Sequence, residues 1–348
     1  MSGADVFDAW QLLIGISHVA NAVRPQRSAS KTIPFTLISG FLGSGKTTLL
    51  KSILEAPFAQ RIAVLVNDFG AINIDAALIR ERTASTIELS NGCACCSLAA
   101  GLTNTLTDLL ASPRPPEAII MEASGIAEPV GILHVALAHS ELFLNGVITV
   151  VDAENIETQA SDPQLKSTIE RQIRAADIVI LNKADLAGPS GIEVARRRIR
   201  QISSEARILD CVYANISPQV LLGIELGLAG ANTSAETAQE APHSAFKTWT
   251  VTSERPFNDR RLCEFAGSLP VSTLRAKGFV RLARDPPRWH LLQVVGRRWS
   301  LAPEDCDIVQ EGPSEIVFIG LPTDAEIEAV TTRLRACEAS LPPLNYGT

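Results

Sequence analysis

The sequence predicts an α/β fold, in which a mostly parallel sheet is covered by helices on both faces and is followed by a small α+β domain. Between residues 35 and 212, short runs rich in Ile and Val alternate with helix-length segments. This pattern is typical of parallel strands buried on both faces. Beyond residue 246 the apolar runs follow each other closely, with helices at the edges, which indicates an antiparallel sheet.

The predicted elements follow this division in chain order. The strands of the first domain are expected at residues 35–38, 62–66, 86–89, 118–121, 147–151, 178–181 and 208–212. Residues 227–245 lack an apolar period and any Lys or Arg, so they are expected to form a linker. In the second domain, strands are expected at 248–252, 274–282, 289–295 and 315–319, and helices at 259–269 and 324–341.

The N-terminal residues 1–31 are expected to form a loosely attached extension, with a start codon placed too early as the alternative. The segment ahead of its apolar stretch carries Asp5 and Asp8 and no Lys or Arg, which is unlike a secretory signal. The predicted domain organisation is therefore an extension (1–31), a first domain (32–226), a linker (227–245) and a second domain (246–348).

Length and composition limit the classes of partner. A chain of 348 residues suggests roughly two domains. The net charge of −7 provides no basic field for nucleic acid or acidic membranes, and no apolar run approaches the roughly 18 residues of a transmembrane helix. Seven cysteines, three of them between residues 93 and 96, favour a reducing compartment and metal or redox chemistry over a secreted disulfide framework. We therefore expect neither a nucleic-acid nor a membrane partner.

The strongest motif is a phosphate-binding loop. Residues 40–47 read G-F-L-G-S-G-K-T, with an apolar strand before them and a helix after them, and match the pattern G-x-x-x-x-G-K-[ST]. Glycines let successive backbone N–H groups point at a phosphate, and the helix N-terminus favours an anion. Lys46 is expected to reach the outer phosphates, and the Thr47 hydroxyl to bind Mg²⁺. The residues expected to contact the nucleotide here are Gly40, Gly43, Ser44, Gly45, Lys46, Thr47 and Thr48.

Two further segments are expected to complete the catalytic site. Glu122 ends an apolar strand, and after a P-loop such a carboxylate lies beside Mg²⁺ and its water shell. Gly125 is expected to offer its backbone N–H to the γ-phosphate. Asp68 lies where a GTPase places its first switch, and is expected either to bind Mg²⁺ through water or to position the attacking water. Asp75 is a weaker candidate, and both aspartates have the alternative of facing solvent. The predicted catalytic residues are Lys46, Asp68, Glu122 and Gly125.

The sequence N-K-A-D at residues 182–185 follows an apolar strand and predicts a guanine pocket. Asp185 can accept hydrogen bonds from the guanine N1–H and exocyclic amine, a donor pair that adenine lacks. Asn182 can bond the base edge and the backbone, while the stem of Lys183 packs on the ring. These contacts select guanine, so GTP is the predicted nucleotide. Asp152, which closes another strand, is expected to be structural.

A cysteine motif, Cys93-Ala94-Cys95-Cys96, follows Gly92 between the expected switch loops. Thiolates at i, i+2 and i+3 can converge on one soft metal, and Zn²⁺ is favoured, with Co²⁺ and Fe²⁺ as alternatives. Zn²⁺ requires a fourth ligand, such as water, Glu88 or a group from another loop. The alternatives are buried structural cysteines or a redox pair. The remaining cysteines are scattered and are expected to be ordinary core or surface residues: Cys211, Cys263, Cys306 and Cys337.

Taken together, these motifs resemble those of the CobW-like GTPases, relatives of the nickel-enzyme maturation GTPases UreG and HypB. The likeness covers about residues 33–340 and is carried by residues 40–50, 66–70, 74–75, 88–96, 122–129 and 182–185, and by 255–257, 261–262, 274–280 and 296–297 in the second domain.

The resemblance implies a cytoplasmic GTPase. Slow intrinsic turnover is expected, because the sequence shows no obvious arginine finger. The resemblance also implies that Cys93, Cys95 and Cys96 bind a transition metal, which the protein passes to a client apo-metalloprotein with GTP hydrolysis. A monomer or a nucleotide-dependent homodimer is expected. Other functions consistent with the residues are a metal buffer or sensor with structural GTP, a cobalt or iron insertase, and a small-metabolite kinase, which the N-K-A-D motif disfavours.

This sequence departs from the family pattern at three points. Asp68 stands where Glu is more frequent, Ala123 where Thr is more frequent, and the linker carries only His243 instead of a His-rich run. The shorter Asp68 side chain is expected to alter the geometry of the metal or Mg²⁺ site, and the linker is not expected to store metal.

Overall fold

The computed structural model describes residues 32–55, 61–66, 85–88, 96–223, 246–284, 288–303 and 312–339. For residues 85–88 and 96–99 it describes the backbone alone. The predicted extension and linker lie outside the described residues. The same holds for the following predicted or alternative site residues: Asp68, Asp75, Cys93, Cys95 and Cys306.

The first domain is built around a seven-stranded parallel sheet with strand order β3-β2-β4-β1-β5-β6-β7. All seven strands predicted from the sequence are present, so the predicted α/β class is confirmed. The strands are β1 (Ile33–Gly40), β2 (Ile62–Val66), β3 (Ser85–Glu88), β4 (Ala118–Glu122), β5 (Leu142–Asp152), β6 (Ile178–Asn182) and β7 (Ile208–Asp210). The helices are α1 (Lys46–Glu55), α2 (Cys96–Leu110), α3 (Pro129–Leu137), α4 (Ile156–Ser161), α5 (Lys166–Ala175), α6 (Ala184–Ile202) and α7 (Pro218–Leu222).

Both faces of this sheet are buried, which explains why its strands are almost continuously apolar. On one face, Ile38 and Val150 pack with Leu49 and Leu50 of α1. On the opposite face, buried side chains of β1, β4 and β5 pack against α2 and α3, while those of β6 pack against α5 and α6. The carboxyl ends of the strands remain available for ligands, as in other open α/β sheets.

The second domain contains a five-stranded sheet with order β11-β10-β9-β12-β8, in which every neighbouring pair is antiparallel. Its helices cover one face, where Phe265 of α8 and Leu334 of α9 join Phe318 in a common core. The predicted small α+β domain is therefore confirmed. The elements are β8 (Lys247–Ser253), α8 (Asp259–Ala266), β9 (Thr273–Leu282), β10 (Arg288–Val295), β11 (Arg298–Pro303), β12 (Ser314–Gly320) and α9 (Asp324–Arg335).

Two features of this domain differ most from the prediction. Strand β11 was not predicted, because its sequence R-W-S-L-A-P lacks a long apolar run; it pairs with β10 across a two-residue connection in which Gly296 has a φ of +59°. The last helix ends at Arg335, short of the predicted 341, and the chain turns at Ala336. In the part of the chain that the structure describes, no helix is long and apolar enough to cross a membrane.

The second domain packs against the amino ends of the first domain's strands. Leu274 and Ile319 join the core that contains α1 and α7. Arg298 donates from Nε to Oδ1 of Asp177, the residue before β6, over 2.8 Å. Arg207, the residue before β7, donates from Nε to the carbonyl of Thr273 over 2.7 Å. These contacts place the second domain at the end of the sheet opposite to the nucleotide motifs.

Candidate functional site

The phosphate-binding loop joins β1 to α1 at the carboxyl end of the sheet. Three glycines of the loop have positive φ, and at two of them a side chain would also clash. A Cβ at Gly40 (φ +137°) would lie 2.1 Å from the carbonyl oxygen of Val150, and one at Gly45 (φ +105°) would lie 2.3 Å from Nδ2 of Asn182. Lys46 opens α1, and its ammonium donates to the carbonyl of Phe41 over 3.1 Å. The loop therefore brings its lysine and a helix N-terminus to one place, the arrangement that binds phosphate.

A hydroxyl and a carboxylate meet at the end of this loop. Thr47 Oγ1 donates to Oε1 of Glu122 over 2.8 Å, and the Glu122 side chain is buried. The two residues meet because β1 and β4 are neighbouring parallel strands, with Ile38 in register with Glu122. Hydroxyl and carboxylate oxygens are the ligands that Mg²⁺ prefers beside substrate phosphates. The two side chains therefore fit a Mg²⁺ site.

The loop after Glu122 is held against the phosphate-binding loop. A Cβ at Gly125 would lie 2.7 Å from the backbone nitrogen of Leu42 and closer still to its side chain. The carbonyls of Gly125 and Ala127 accept hydrogen bonds from Nε2 of Gln172, at 3.0 and 3.2 Å. Gln172 is a buried residue of α5 that sequence reasoning missed, because nothing in its local pattern distinguishes it from a surface glutamine.

Asn182 connects three parts of the predicted guanine pocket. Its Nδ2 donates to the carbonyl of Ser44 in the phosphate-binding loop over 2.9 Å. Its Oδ1 accepts from the backbone N–H of Ala214 over 2.9 Å and from Sγ of Cys211 over 3.4 Å. Burial raises the pKa of Cys211 to about 12, so the thiol stays protonated and able to donate. The carboxamide thus fixes the pocket's backbone, while Asp185 is exposed in the first turn of α6.

Lys183 adopts a left-handed conformation (φ +61°) and is held by Asp152. Its Nζ donates to Oδ2 of Asp152 over 2.7 Å, and the same carboxylate accepts from Asn155 Nδ2 and from the Glu154 N–H, both at 3.0 Å. Burial favours the protonated carboxyl, but the bonds from Lys183 and Asn155 outweigh it and lower the pKa of Asp152 below 3.8. Asp152 is therefore a charged anchor for the lysine of the guanine motif.

Sequence comparison identifies both domains. The family described as CobW/HypB/UreG, nucleotide-binding domain, matches residues 34–210, and the cobalamin synthesis protein cobW C-terminal domain matches residues 246–338. The chain belongs to the CobW/HypB/UreG family of GTPases. The resemblance noted from the sequence motifs is therefore confirmed.

Three relatives are about 30% identical to the chain over the aligned residues. The zinc chaperone CobW of Sinorhizobium sp is 30% identical over 314 residues, covering 78% of this chain and 88% of the relative. The zinc chaperone YjiA of Escherichia coli is 30% identical over 325 residues, covering 87% and 99%. The zinc-regulated GTPase metalloprotein activator 1 of Dictyostelium discoideum is 29% identical over 332 residues, covering 80% and 68%. A solved structure of Zn(II)-bound YjiA aligns over 88% of this chain and 99% of that one, at 23% identity and a TM-score of 0.42.

The cysteine motif of this CobW-family chain lies mostly outside the described residues. Cys96 is the first residue of α2, and residues 89–95 connect it to the end of β3. The ends of three strands lie in one row, because Val66 is in register with Glu88 on one side and with Glu122 on the other. Among the described side chains, no three His, Cys, Asp or Glu residues are grouped so as to hold a metal. The metal site at Cys93, Cys95 and Cys96 therefore stays a prediction.

Proposed function

We propose that this chain is a GTP-dependent zinc chaperone, which binds the metal through Cys93, Cys95 and Cys96 and transfers it to a client apo-metalloprotein when GTP is hydrolysed. The observation that carries the proposal is the row of strand ends formed by Glu88, Val66 and Glu122. Neighbouring strands lie about 4.8 Å apart, so the backbone at Glu88 is about 10 Å from that at Glu122. The connection that carries the cysteines begins there.

The roles of the nucleotide-binding residues follow from their positions. Lys46 and the loop from Gly40 to Thr48 bind the phosphates. Thr47 and Glu122 are the residues that would hold Mg²⁺, which when bound neutralises phosphate charge during hydrolysis. Asn182, Lys183 and Asp185 recognise guanine.

The proposed coupling between nucleotide and metal depends on the short distance between the two sites. The segment from residue 67, which contains Asp68, begins at the end of β2, between the strand ends of Glu88 and Glu122. If the γ-phosphate orders this segment, the ordered loop would lie beside the connection of residues 89–95, which carries Cys93 and Cys95. Coupling of this kind is reciprocal, so bound metal must also favour the GTP state. Identical GTP affinity with and without metal would exclude the mechanism.

The relatives support the choice of metal and partner. Three of them are named for zinc, as zinc chaperones or a zinc-regulated activator of metalloproteins. By analogy, we propose that zinc is the cargo here and that the partner is a client apo-metalloprotein. A reducing cytoplasm is the compartment in which three thiolates stay available for metal. The expected oligomeric state is a monomer or a nucleotide-dependent homodimer.

The test is metal affinity measured by competition with a chromophoric chelator in reducing buffer. Zn²⁺, Co²⁺ and Fe²⁺ are each titrated into the protein without nucleotide, with GDP and Mg²⁺, and with a non-hydrolysable GTP analogue and Mg²⁺. Cys95→Ser removes one proposed ligand, and Cys263→Ser, a half-buried thiol of α8, is the matched control. We expect one-to-one binding that is tightest for Zn²⁺ with the GTP analogue, lost in Cys95→Ser and kept in Cys263→Ser.

Other outcomes have distinct meanings. Metal binding that requires Cys95 but ignores the nucleotide would replace the chaperone with a metal buffer or sensor whose GTP is structural. Tightest binding of Co²⁺ or Fe²⁺ would change the cargo and leave the switch in place. Binding that ignores both Cys95 and nucleotide would leave a GTPase whose cysteines are structural.

A further inference from the structure

One chain segment, residues 211–223, connects the predicted guanine pocket to the second domain. At its start, Cys211 and Ala214 contact the carboxamide of Asn182. At its end lies α7, whose last carbonyls face a side chain of the second domain. Between these points Tyr213 and Ala214 both have positive φ, +52° and +53°. Residues other than glycine hold such a conformation only when their surroundings impose it.

Arg275 of β9 is the side chain that meets the end of α7. It is 5% exposed. Its Nε donates to the carbonyl of Val220 over 2.6 Å, and its Nη2 donates to the carbonyl of Leu221. The last carbonyls of a helix have no partner within the helix, and a planar guanidinium can satisfy two of them at once. Arg275 therefore caps α7 from the other domain.

Asn145 of β5 completes this cap. Its Nδ2 donates to the carbonyl of Leu222 over 2.7 Å and to Oγ1 of Thr36 over 2.9 Å, and its Oδ1 accepts from Nη1 of Arg275 over 3.2 Å. The last three carbonyls of α7 thus bond to Arg275 or to the asparagine beside it. The guanidinium of Arg275 packs closely against the residue after α7, because a Cβ at Gly223 would lie 2.8 Å from Nη1 of Arg275.

Helix α7 depends on such contacts. It has five residues, far fewer than an isolated helix needs in water. Val220 and Leu221 belong to the core cluster that also contains Leu274, the neighbour of Arg275. Ser217 is the residue before α7, and only Pro218 and Gln219 separate it from the capped carbonyls. Asn215 and Ile216 connect Ser217 to Ala214. Ile216 and Ala214 lie in the same buried cluster as Val220, so a shift of α7 would also move the turn at Ala214.

We infer that Arg275 is a positioning residue for the guanine pocket: by capping α7 it holds Ala214 against Asn182 and so raises the affinity for guanine nucleotides. The inference rests on the proposed guanine pocket. It assigns the second domain a role in nucleotide binding, although that domain packs at the far end of the sheet. By reciprocity, bound nucleotide stabilises the contact between the domains to the same extent.

The test is nucleotide affinity, measured by displacement of a fluorescent GDP derivative by GDP and by a non-hydrolysable GTP analogue. Arg275→Met removes the cap, and we expect it to weaken both nucleotides equally by about tenfold, the equivalent of one charge-assisted hydrogen bond. Arg275→Lys keeps the charge without the planar fork and should recover part of the loss. Arg298→Met is the matched control, since Arg298 reaches the first domain at Asp177 instead. Because the Arg298 side chain is partly exposed in its ion pair with Asp177, we expect Arg298→Met to change nucleotide affinity by less than about twofold.

A double-mutant cycle separates positioning from general destabilisation. If Arg275 acts through the contact between Ala214 and Asn182, then Arg275→Met should weaken GDP binding no further once Asn182→Ala is present. Additive losses, equal losses in Arg275→Met and Arg298→Met, or no loss in Arg275→Met would each overturn the inference. If Arg275→Met does not fold, as judged by its thermal unfolding, the same comparison is made with Arg275→Lys. GDP affinity that ignores Asn182→Ala in the wild-type background would instead overturn the guanine pocket itself.

Discussion

Replacement of Asp152 by Asn tests whether the carboxylate that holds Lys183 contributes to nucleotide binding. Asn has the same shape as Asp, but it puts an NH₂ group in place of one carboxylate oxygen. The remaining oxygen can still accept the hydrogen bond from the Glu154 N–H. The other position, which now receives hydrogen bonds from Lys183 and Asn155, would present a donor to two donors. The change therefore removes both contacts without creating a cavity.

The cost follows from these contacts. Both bonds are accepted by the charged carboxylate, and a hydrogen bond to a charged group contributes about 1.5–3 kcal/mol, so the gross loss is about 3–6 kcal/mol. Two effects reduce it. The buried charge of Asp152 no longer has to be desolvated, and the Lys183 ammonium, which is 32% exposed, regains water. We expect a net loss of about 1–2 kcal/mol in the free energy of unfolding. An unanchored Lys183 must also be ordered when guanine binds, which costs about 1 kcal/mol, or roughly fivefold in GDP affinity.

Urea unfolding measures the first quantity, and displacement of fluorescent GDP the second. Asn155→Ala is the control, because it removes the bond from Asn155, an exposed residue whose donor water can replace, and leaves the bond between Asp152 and Lys183. It should lower stability by about 1 kcal/mol or less and leave GDP affinity unchanged. If Asp152→Asn lowers stability but binds GDP as tightly as the wild type, then Asp152 supports the fold alone and Lys183 needs no anchor.

The same variant gives a prediction for pH. The pKa of Asp152 is lowered in the folded protein, so its stabilising effect is complete above the unfolded value near 3.8 and is lost as the pH falls through the folded value. The stability difference between the wild type and Asp152→Asn should be constant from neutral pH to about pH 5 and should shrink below about pH 3.8. A difference that grows on acidification would have the wrong sign for this explanation.

Two further substitutions test the contacts around the sheet. Gly125→Ala should weaken GDP as well as GTP binding, because the added Cβ would meet the backbone nitrogen of Leu42 at 2.7 Å and displace the phosphate-binding loop. Displacement of a fluorescent nucleotide measures both affinities. A loss of affinity for GTP alone would indicate a contact between Gly125 and the γ-phosphate instead. Asp177→Asn should lower the free energy of unfolding by about 3 kcal/mol, because its buried carboxylate accepts from both Arg298 and the Val147 N–H and an amide satisfies one of them. A loss below about 1 kcal/mol in urea unfolding would show that water replaces the pair.

The sequence predicted the features that depend on local pattern. Burial on both faces makes the strands of the first sheet apolar throughout, and the nucleotide motifs have fixed spacing, so both were visible along the chain. The bonds of Arg275 to Asn145 and of Arg298 to Asp177 join residues 130 and 121 positions apart, and no local pattern indicates them. Cys211, expected to be an ordinary core or surface residue, is indeed buried, but its contact with Asn182 depends on the pairing of β6 with β7.

The geometry of the first sheet restricts how the second domain can influence the nucleotide. The contacts between the domains involve residues at the amino ends of strands, such as Asp177 and Arg207, whereas Glu122 and Asn182 lie at the carboxyl ends. A five-residue strand spans about 17 Å, so the two ends are too far apart for direct contact. Residues 211–223 cover this distance, because they start at the carboxyl end of β7 and end beside Asn145, near the amino end of β5. A signal from the second domain to the guanine pocket therefore has a short covalent route, and Arg275 lies at its far end.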